Sequence, residues 1–346
     1  MRVGIDCRFA PTPTGLGRYT RSMVRALLQR NDDVEYTLFV RSVDEGWLHD
    51  LPSVTTIVAA PFRHYSFAEQ VCFPSVIRKS GIDLLFAPHF NVPLTCPVPF
   101  VVTIHDLILH RYPNEASRFK QWAYRRVLCN AVRRARHVIT VSNFTLRELT
   151  DVFGDEIGAR ATRIYEGIGD SFKPASKEEQ QRVRDWYGLE KPFFLYVGNA
   201  KEHKNVQMLI DAYVALGDRS RELVIVTSGR EHWDMRLSPG AVRITNVVER
   251  DLPALYSAAI AFITASLYEG FCLPAIEAEA CGCRVIASNR GAIPEVIGPT
   301  ARLIEPTVGA IVSAMCSVDS MEPPQPKDFS WKKAAETTAA VLRQVL

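Results

Sequence analysis

The chain has 346 residues, of which 47% are apolar and 23% charged, a length that suits two domains of roughly 150 residues better than one core. No stretch supplies the ~18 uncharged apolar residues of a membrane-spanning helix, and a net charge of +3 is too small to make nucleic acid the expected partner. The sequence from Met1 enters a strand-like pattern with no apolar leader, so a cytoplasmic location is expected.

Short β-rich runs alternate with longer helical patterns throughout, the mark of βαβ units and parallel sheets. In the first half, strands are expected near 2–6, 36–40, 54–58, 83–86, 99–104 and 138–141. The first helix, from about Leu16 to Gln29, puts Tyr19, Met23, Ala26 and Leu27 on one face, which should lie on a sheet. Residues 118–137 carry Arg118, Lys120, Arg125, Arg126, Arg133, Arg134 and Arg136 and no acidic residue. Projected at about 100° per residue, Tyr124, Leu128, Ala131, Val132 and Ala135 form an apolar stripe. Arg118, Arg125, Arg126, Arg133 and Arg136 gather roughly opposite, with Phe119 and Trp122 among them. Large aromatics among arginines suit a membrane interface. Docking on anionic lipid through Arg118, Trp122, Arg125, Arg133 and Arg136 is therefore expected, against an ordinary solvated helix or an acceptor-binding wall.

Periodicity stops at Glu166-Gly-Ile-Gly-Asp-Ser-Phe-Lys-Pro174, where two glycines and a proline mark a crossing between domains. It restarts with the strand Lys191–Val197, which ends at Gly198, and continues with strands near 222–226, 260–263, 283–287 and 301–304. Pro323-Pro324-Gln325-Pro326 breaks the chain again before a last helix, Trp331–Leu346. The expected division is 1–168, 169–328, and a C-terminal segment 329–346 that packs back on the first domain. Eight cysteines in apolar contexts read as reduced core thiols, the close pair Cys281 and Cys283 included. With no metal-like histidine cluster and no Asp-x-Asp triplet, no metal site is expected.

The stretch from Ser266 to Gly282 carries the most chemistry. It follows the strand Ile260–Thr264 and turns into a helix, with Pro274 suited to the first helical position and Gly282 to the C-terminus. Free amides and the positive dipole end at such a helix start form a diphosphate site. Glu277 is expected on the first turn, where a carboxylate can accept from both hydroxyls of a ribose, and Glu269 should point beyond the phosphates. Glu279 reads as a solvated face residue, and Asp106 equally well as a helix cap. His105 ends the apolar run 101–104, at the carboxyl end of a strand, where open α/β sheets place ligands.

Glu269 and Glu277, with seven residues between them, resemble the signature of family 4 retaining glycosyltransferases of the GT-B type. Similar matches run through the chain: Gly15-Leu-Gly17-Arg-Tyr19, Thr103-Ile-His105-Asp106, Val141-Ser142-Asn-Phe, Tyr196 through Asn205, Asp251 through Tyr256, Ser288 through Glu295, and Phe329-Ser-Trp-Lys. The resemblance implies an α/β fold of two Rossmann-like domains facing each other across a cleft. It also implies transfer of a hexose from a nucleotide diphosphate sugar to a glycan or lipid-linked acceptor, without cofactor or metal, the overall likeness leaning to mannose from GDP-mannose in bacterial cell-surface synthesis. His105, Glu269 and Lys204 would form the reacting centre. Gly15, Gly17, Gly198, Asn199, Val247, Gly270, Phe271, Cys272, Leu273 and Glu277 would bind the donor, and Arg18, Tyr19 and Asp106 the acceptor. Two departures stand out: Asn199 occupies a position where many relatives carry arginine, leaving Lys204 help only from Lys201, His203 or Arg18, and Cys272 stands where glycine is frequent. A non-catalytic nucleotide-sugar-binding module and an epimerase remain the alternatives. A dehydrogenase is disfavoured because Gly-x-Gly-x-x-Gly is missing.

Overall fold

The structure, a computed structural model, describes residues 1–30, 32–52, 56–113, 117–227 and 235–345. They form two compact units, Met1–Gly167 with Phe329–Leu346, and Ile168–Asp328.

The first unit runs β1 (Arg2–Asp6), α1 (Gly15–Leu28), β2 (Glu35–Val40), β3 (Thr56–Ala59), α2 (Phe67–Lys79), β4 (Leu84–Ala87), β5 (Phe100–Ile104) and α3 (Ile108–Arg111). It continues with α4 (Arg118–Arg134), β6 (His137–Thr140), α5 (Asn143–Phe153), α6 (Asp155–Gly158) and β7 (Ala161–Arg163). Its all-parallel sheet has the order β3-β2-β1-β4-β5-β6-β7. The central strands β4 and β5 are buried along their whole length, which is why they read as unbroken apolar runs.

The second unit runs α7 (Lys177–Tyr187), β8 (Phe193–Val197), α8 (Val206–Leu216), β9 (Glu222–Val226), β10 (Ala241–Ile244), α9 (Leu252–Ala258), β11 (Ala261–Thr264) and α10 (Leu273–Ala280). Then follow β12 (Arg284–Ser288), α11 (Ile293–Val296), β13 (Arg302–Ile304) and α12 (Val308–Cys316). Its sheet, also parallel, has the order β10-β9-β8-β11-β12-β13. The last helix, α13 (Trp331–Gln344), belongs to the first unit, where it packs on α1 and Arg343 bonds Asp32 at 2.9 Å.

Helix starts follow local chemistry. The hydroxyls of Thr14, Ser66, Ser117, Ser142, Ser176, Thr307 and Ser330 each accept an amide in the first turn of α1, α2, α4, α5, α7, α12 and α13. Each such cap is worth ~1 kcal/mol.

The strands β7 and β10 go beyond the expected set. Both are short edge strands, half-buried or partly exposed, and so lack the continuous apolar run that marks a buried strand. The strand expected at 54–58 is seen as Thr56–Ala59, its first two expected residues lying outside the described ones. The basic helix ends at Arg134, not near 137, because the Arg136 amide already bonds the Phe100 carbonyl and leads into β6. Lys191 and Pro192 precede β8 and are not part of it.

Candidate functional site

Both sheets reverse their strand order once, between β1 and β4 in the first unit and between β8 and β11 in the second. In open α/β sheets, ligands bind outside the carboxyl ends of strands at such a reversal.

In the second unit, the loops leaving β8 and β11 meet there. The Leu267 amide donates to the His203 carbonyl at 2.7 Å, and Asn205 Nδ2 donates to the Ala265 carbonyl at 3.3 Å. Asn205 adopts a left-handed conformation, φ 54°, that asparagine tolerates, turning the chain directly from Lys204 into α8. These bonds bring Lys204 Nζ to 2.7 Å from each oxygen of Glu269, 65 positions further along the chain. The pair is largely but not completely shielded, with side chains 19% and 11% exposed. Glu269 is held from behind. The Ala292 amide donates to its carbonyl at 2.9 Å, and a β-carbon on Gly291 would lie 2.6 Å from its backbone nitrogen and oxygen. Only glycine fits there, which gives the Ser288–Glu295 segment a physical role.

Cys272 caps α10 in the left-handed region, φ 78°, so the place where glycine is frequent is one where a side chain is strained. The helix start offers fewer amides than expected: Pro274 has none, and the Ala275 amide turns to the Cys272 carbonyl at 3.1 Å. Glu277 is the fifth residue of α10, beyond its first turn, and is buried, with the Tyr256 hydroxyl donating to it at 3.3 Å. Glu279 is not solvated. It is 2% exposed and accepts the Gly298 amide at 2.9 and 3.0 Å, because α10 buries both of its sides. Burial pushes its carboxyl up to about 7, with the Gly298 amide pulling the other way. Asp251 ties α7 to α9 by accepting from Arg182 and the Tyr187 hydroxyl, both at 2.8 Å. The Asn199 side chain accepts the Lys201 amide at 3.4 Å, His203 is buried, and Gly198, Lys201 and Val247 lie half-buried on loops.

In the first unit, Gly15 and Gly17 lie at the start of α1 instead of in a free loop. They differ in kind: a β-carbon on Gly17 would lie 2.0 Å from the Thr12 carbonyl oxygen, whereas one on Gly15 would meet nothing within 4 Å. Gly15 thus borders open space, whereas Gly17 is held by the fold. Arg18 is half-buried, and Tyr19 is buried, its hydroxyl 3.2 Å from that of Thr103. His105 follows β5, with Nε2 2.8 Å from the Pro88 carbonyl and Nδ1 3.1 Å from Glu166. Ser142 caps α5 by accepting the Thr145 amide, and Thr145 Oγ1 donates to the His105 carbonyl at 3.2 Å, so the turn that follows the Val141-Ser142 motif anchors the His105 backbone. Asp106 accepts the Ile108 amide at 3.1 Å at the start of α3.

Sequence reasoning missed a sealed ion triad beside the β1–β4 reversal. Arg8, 0% exposed, donates to both oxygens of Asp6 at 2.8 and 2.7 Å and lies 2.8 Å from Glu69. Glu69 also accepts the Tyr65 amide and the Asn91 amide group, at 2.7 and 2.8 Å. The signal available was weak: charged residues directly after an apolar strand. On α4, Tyr124, Val127, Leu128, Ala131 and Val132 are buried, while Phe119 and Trp122 are 76% and 62% exposed and stack at 6.0 Å. Arg118, Arg125, Arg133 and Arg136 are exposed. The cysteines are free; Cys281 and Cys283 are buried, but Cys72 and Cys316 are exposed and so are not core thiols. Among the described residues, no group of His, Cys, Asp and Glu is arranged to hold a metal and no helix is long and apolar enough to cross a membrane.

Residues 13–172 match the domain described as Glycosyltransferase Family 4, and residues 191–319 the one described as Glycosyl transferases group 1. The chain belongs to this family: it is a glycosyltransferase of two Rossmann-like domains. It is 28% identical to the O-antigen chain mannosyltransferase B of Escherichia coli over 93% of this chain and 89% of that protein. It is also 28% identical to the O-antigen chain mannosyltransferase RfbU of Salmonella typhimurium strain LT2, over 71% of this chain and 67% of that one. Among solved structures, HepE of Anabaena in complex with UDP-glucose superposes with a TM-score of 0.72 at 16% identity, over 99% of this chain and all 100% of that one.

Proposed function

We propose that this glycosyltransferase moves mannose from GDP-mannose, with retention of configuration, to a glycan or lipid-linked acceptor in the building of a cell-surface polysaccharide. The observation that carries this reading is the Lys204–Glu269 pair at the sheet reversal of the second unit. A partly exposed lysine beside a helix N-terminus is suited to a diphosphate, and its charge counters the charge that grows on the leaving nucleotide. Release of Lys204 to the phosphates frees Glu269 to accept hydroxyls of the transferred sugar. Departure on the face from which the acceptor enters needs no protein nucleophile. Lys204 and α10 together supply the positive charge, so we expect activity to persist in EDTA. Mannose is favoured by the two O-antigen mannosyltransferase relatives.

The direct test is transfer from a panel of nucleotide sugars to a lipid-linked glycan, with the anomer of the product read by NMR. An α-mannoside made from α-linked GDP-mannose supports the reading. Transfer from UDP-glucose alone would overturn the donor, an inverted product the stereochemistry, and binding without any transfer the enzyme assignment; a free epimerised nucleotide sugar would make it an epimerase.

Peripheral docking of α4 on anionic lipid belongs to the same proposal. Phe119 and Trp122 stand exposed among Arg118, Arg125 and Arg126, and each basic residue near such a surface contributes ~1 kcal/mol. Changing Arg118, Arg125 and Arg133 to Gln should abolish co-sedimentation with anionic vesicles and leave GDP-mannose binding unchanged. Failure of the wild-type protein to co-sediment at low salt would overturn docking.

A further inference from the structure

We propose that Glu166 is a positioning residue that fixes the His105 ring as a donor on both nitrogens, so that His105 serves transfer by charge and placement and not as a proton acceptor. This rests on placing His105 at the transfer site, as the proposed function does.

The geometry is restrictive. A carbonyl oxygen only accepts, so Nε2, 2.8 Å from Pro88, carries a hydrogen. Glu166 Oε1 lies 3.1 Å from Nδ1, and its residue is 4% exposed, so little water competes for that carboxylate. A neutral imidazole has one N–H, and two acceptors facing its two nitrogens call for a second. No lone pair is then left to take a proton from an acceptor hydroxyl. The ring is also held from the side: Tyr19 packs edge-on against it at 4.5 Å, and Thr145 anchors its backbone.

The surrounding charges agree. Burial by itself would lower the imidazole's pKa, but the Glu166 carboxylate, the Pro88 carbonyl and Asp106 outweigh it and hold the pKa above the ordinary 6.5. His89, its ring 6.4 Å away, is kept neutral chiefly by its own burial and further by the neighbouring His105, so it adds no repulsion. Buried Tyr19 also stays neutral, burial pushing its hydroxyl far above the usual range. Glu166 itself is pinned where the chain leaves the first unit. The next residue, Gly167, packs so closely that a β-carbon would lie 2.3 Å from the Trp331 nitrogen, and Trp331 contacts Tyr19 at 5.5 Å. The carboxylate, the aromatic ring and the imidazole are thus braced by one another.

The test is a histidine NMR titration of the full chain beside the pH profile of turnover, for wild type, Glu166→Gln and Glu166→Asp. The expected result is a His105 pKa above 6.5 in wild type, lowered by at least about one unit in Glu166→Gln and partly restored in Glu166→Asp. The alkaline limb of turnover should move with it, and the KM for donor should change little. A His105 that titrates below 6.5 in wild type, or that ignores Glu166→Gln, overturns the proposal. If the titration shifts as expected while turnover is unmoved at every pH, the ring is held as described but His105 has no part in transfer, and it is its placement in the proposed function that fails.

Discussion

The two sheet reversals hold their charges differently. In the first unit, Asp6, Arg8 and Glu69 are sealed, at 4%, 0% and 0% exposure, and pair with one another. In the second, Lys204 and Glu269 pair in a position that water still reaches. A sealed triad cannot be exchanged for a ligand without leaving a buried charge uncompensated. A pair that water still reaches can exchange partners, since an incoming anion can replace the carboxylate without stranding a charge out of reach of solvent. The same kind of side chain therefore gives a brace in one unit and a candidate binding site in the other, and burial makes the difference.

Breaking each member of this comparison should give opposite outcomes. Arg8→Met should cost ~3–5 kcal/mol of stability, because it strands two buried carboxylates, and urea unfolding measures it; a loss under 1 kcal/mol would show that water enters the triad. Lys204→Ala and Glu269→Gln should instead leave the urea midpoint close to wild type and cut turnover ~100-fold or more, as expected of groups that stabilise charge in the transition state. Near-normal turnover in both would remove the pair from the site.

Glu279 sharpens the contrast within α10. Its folded carboxyl holds its proton up to about 7, against 4.5 for an exposed glutamate. The unfolded chain therefore ionises first, and this contribution to stability is present below about 4.5 and lost as pH rises through 7. Glu279→Gln should flatten that loss, gaining up to ~3 kcal/mol at pH 8 relative to wild type, with no gain at pH 4; melting curves at the two pH values decide it.

The smallest effect separates the two glycines of α1. Gly17→Ala forces a β-carbon against the Thr12 carbonyl and should destabilise by ~1–3 kcal/mol. Gly15→Ala meets open space and should stay within ~0.5 kcal/mol of wild type. A turnover loss in Gly15→Ala without a stability loss would report a ligand that needs the backbone bare; unchanged turnover would remove Gly15 from the donor site.

Much of the fold can be read from local pattern. The unbroken apolar runs gave β4, β5, β8 and β9, Tyr19 and Met23 marked the buried face of α1, and Pro274 and Gly282 bracket α10. Each of these depends on residues within a few positions of one another, where period, capping and backbone preference act. Lys204 and Glu269 could be named as candidates from their motif, but not as partners 65 positions apart. The Arg8 triad left only the weak trace of charged residues directly after an apolar strand, and neither the Glu166 brace on His105 nor the burial of Glu279 was visible. Whether a charged side chain becomes a brace, a site or a solvated face depends on which strand ends converge around it and how much water they exclude. That is decided by strand order and packing between distant segments, for which local periodicity carries no term.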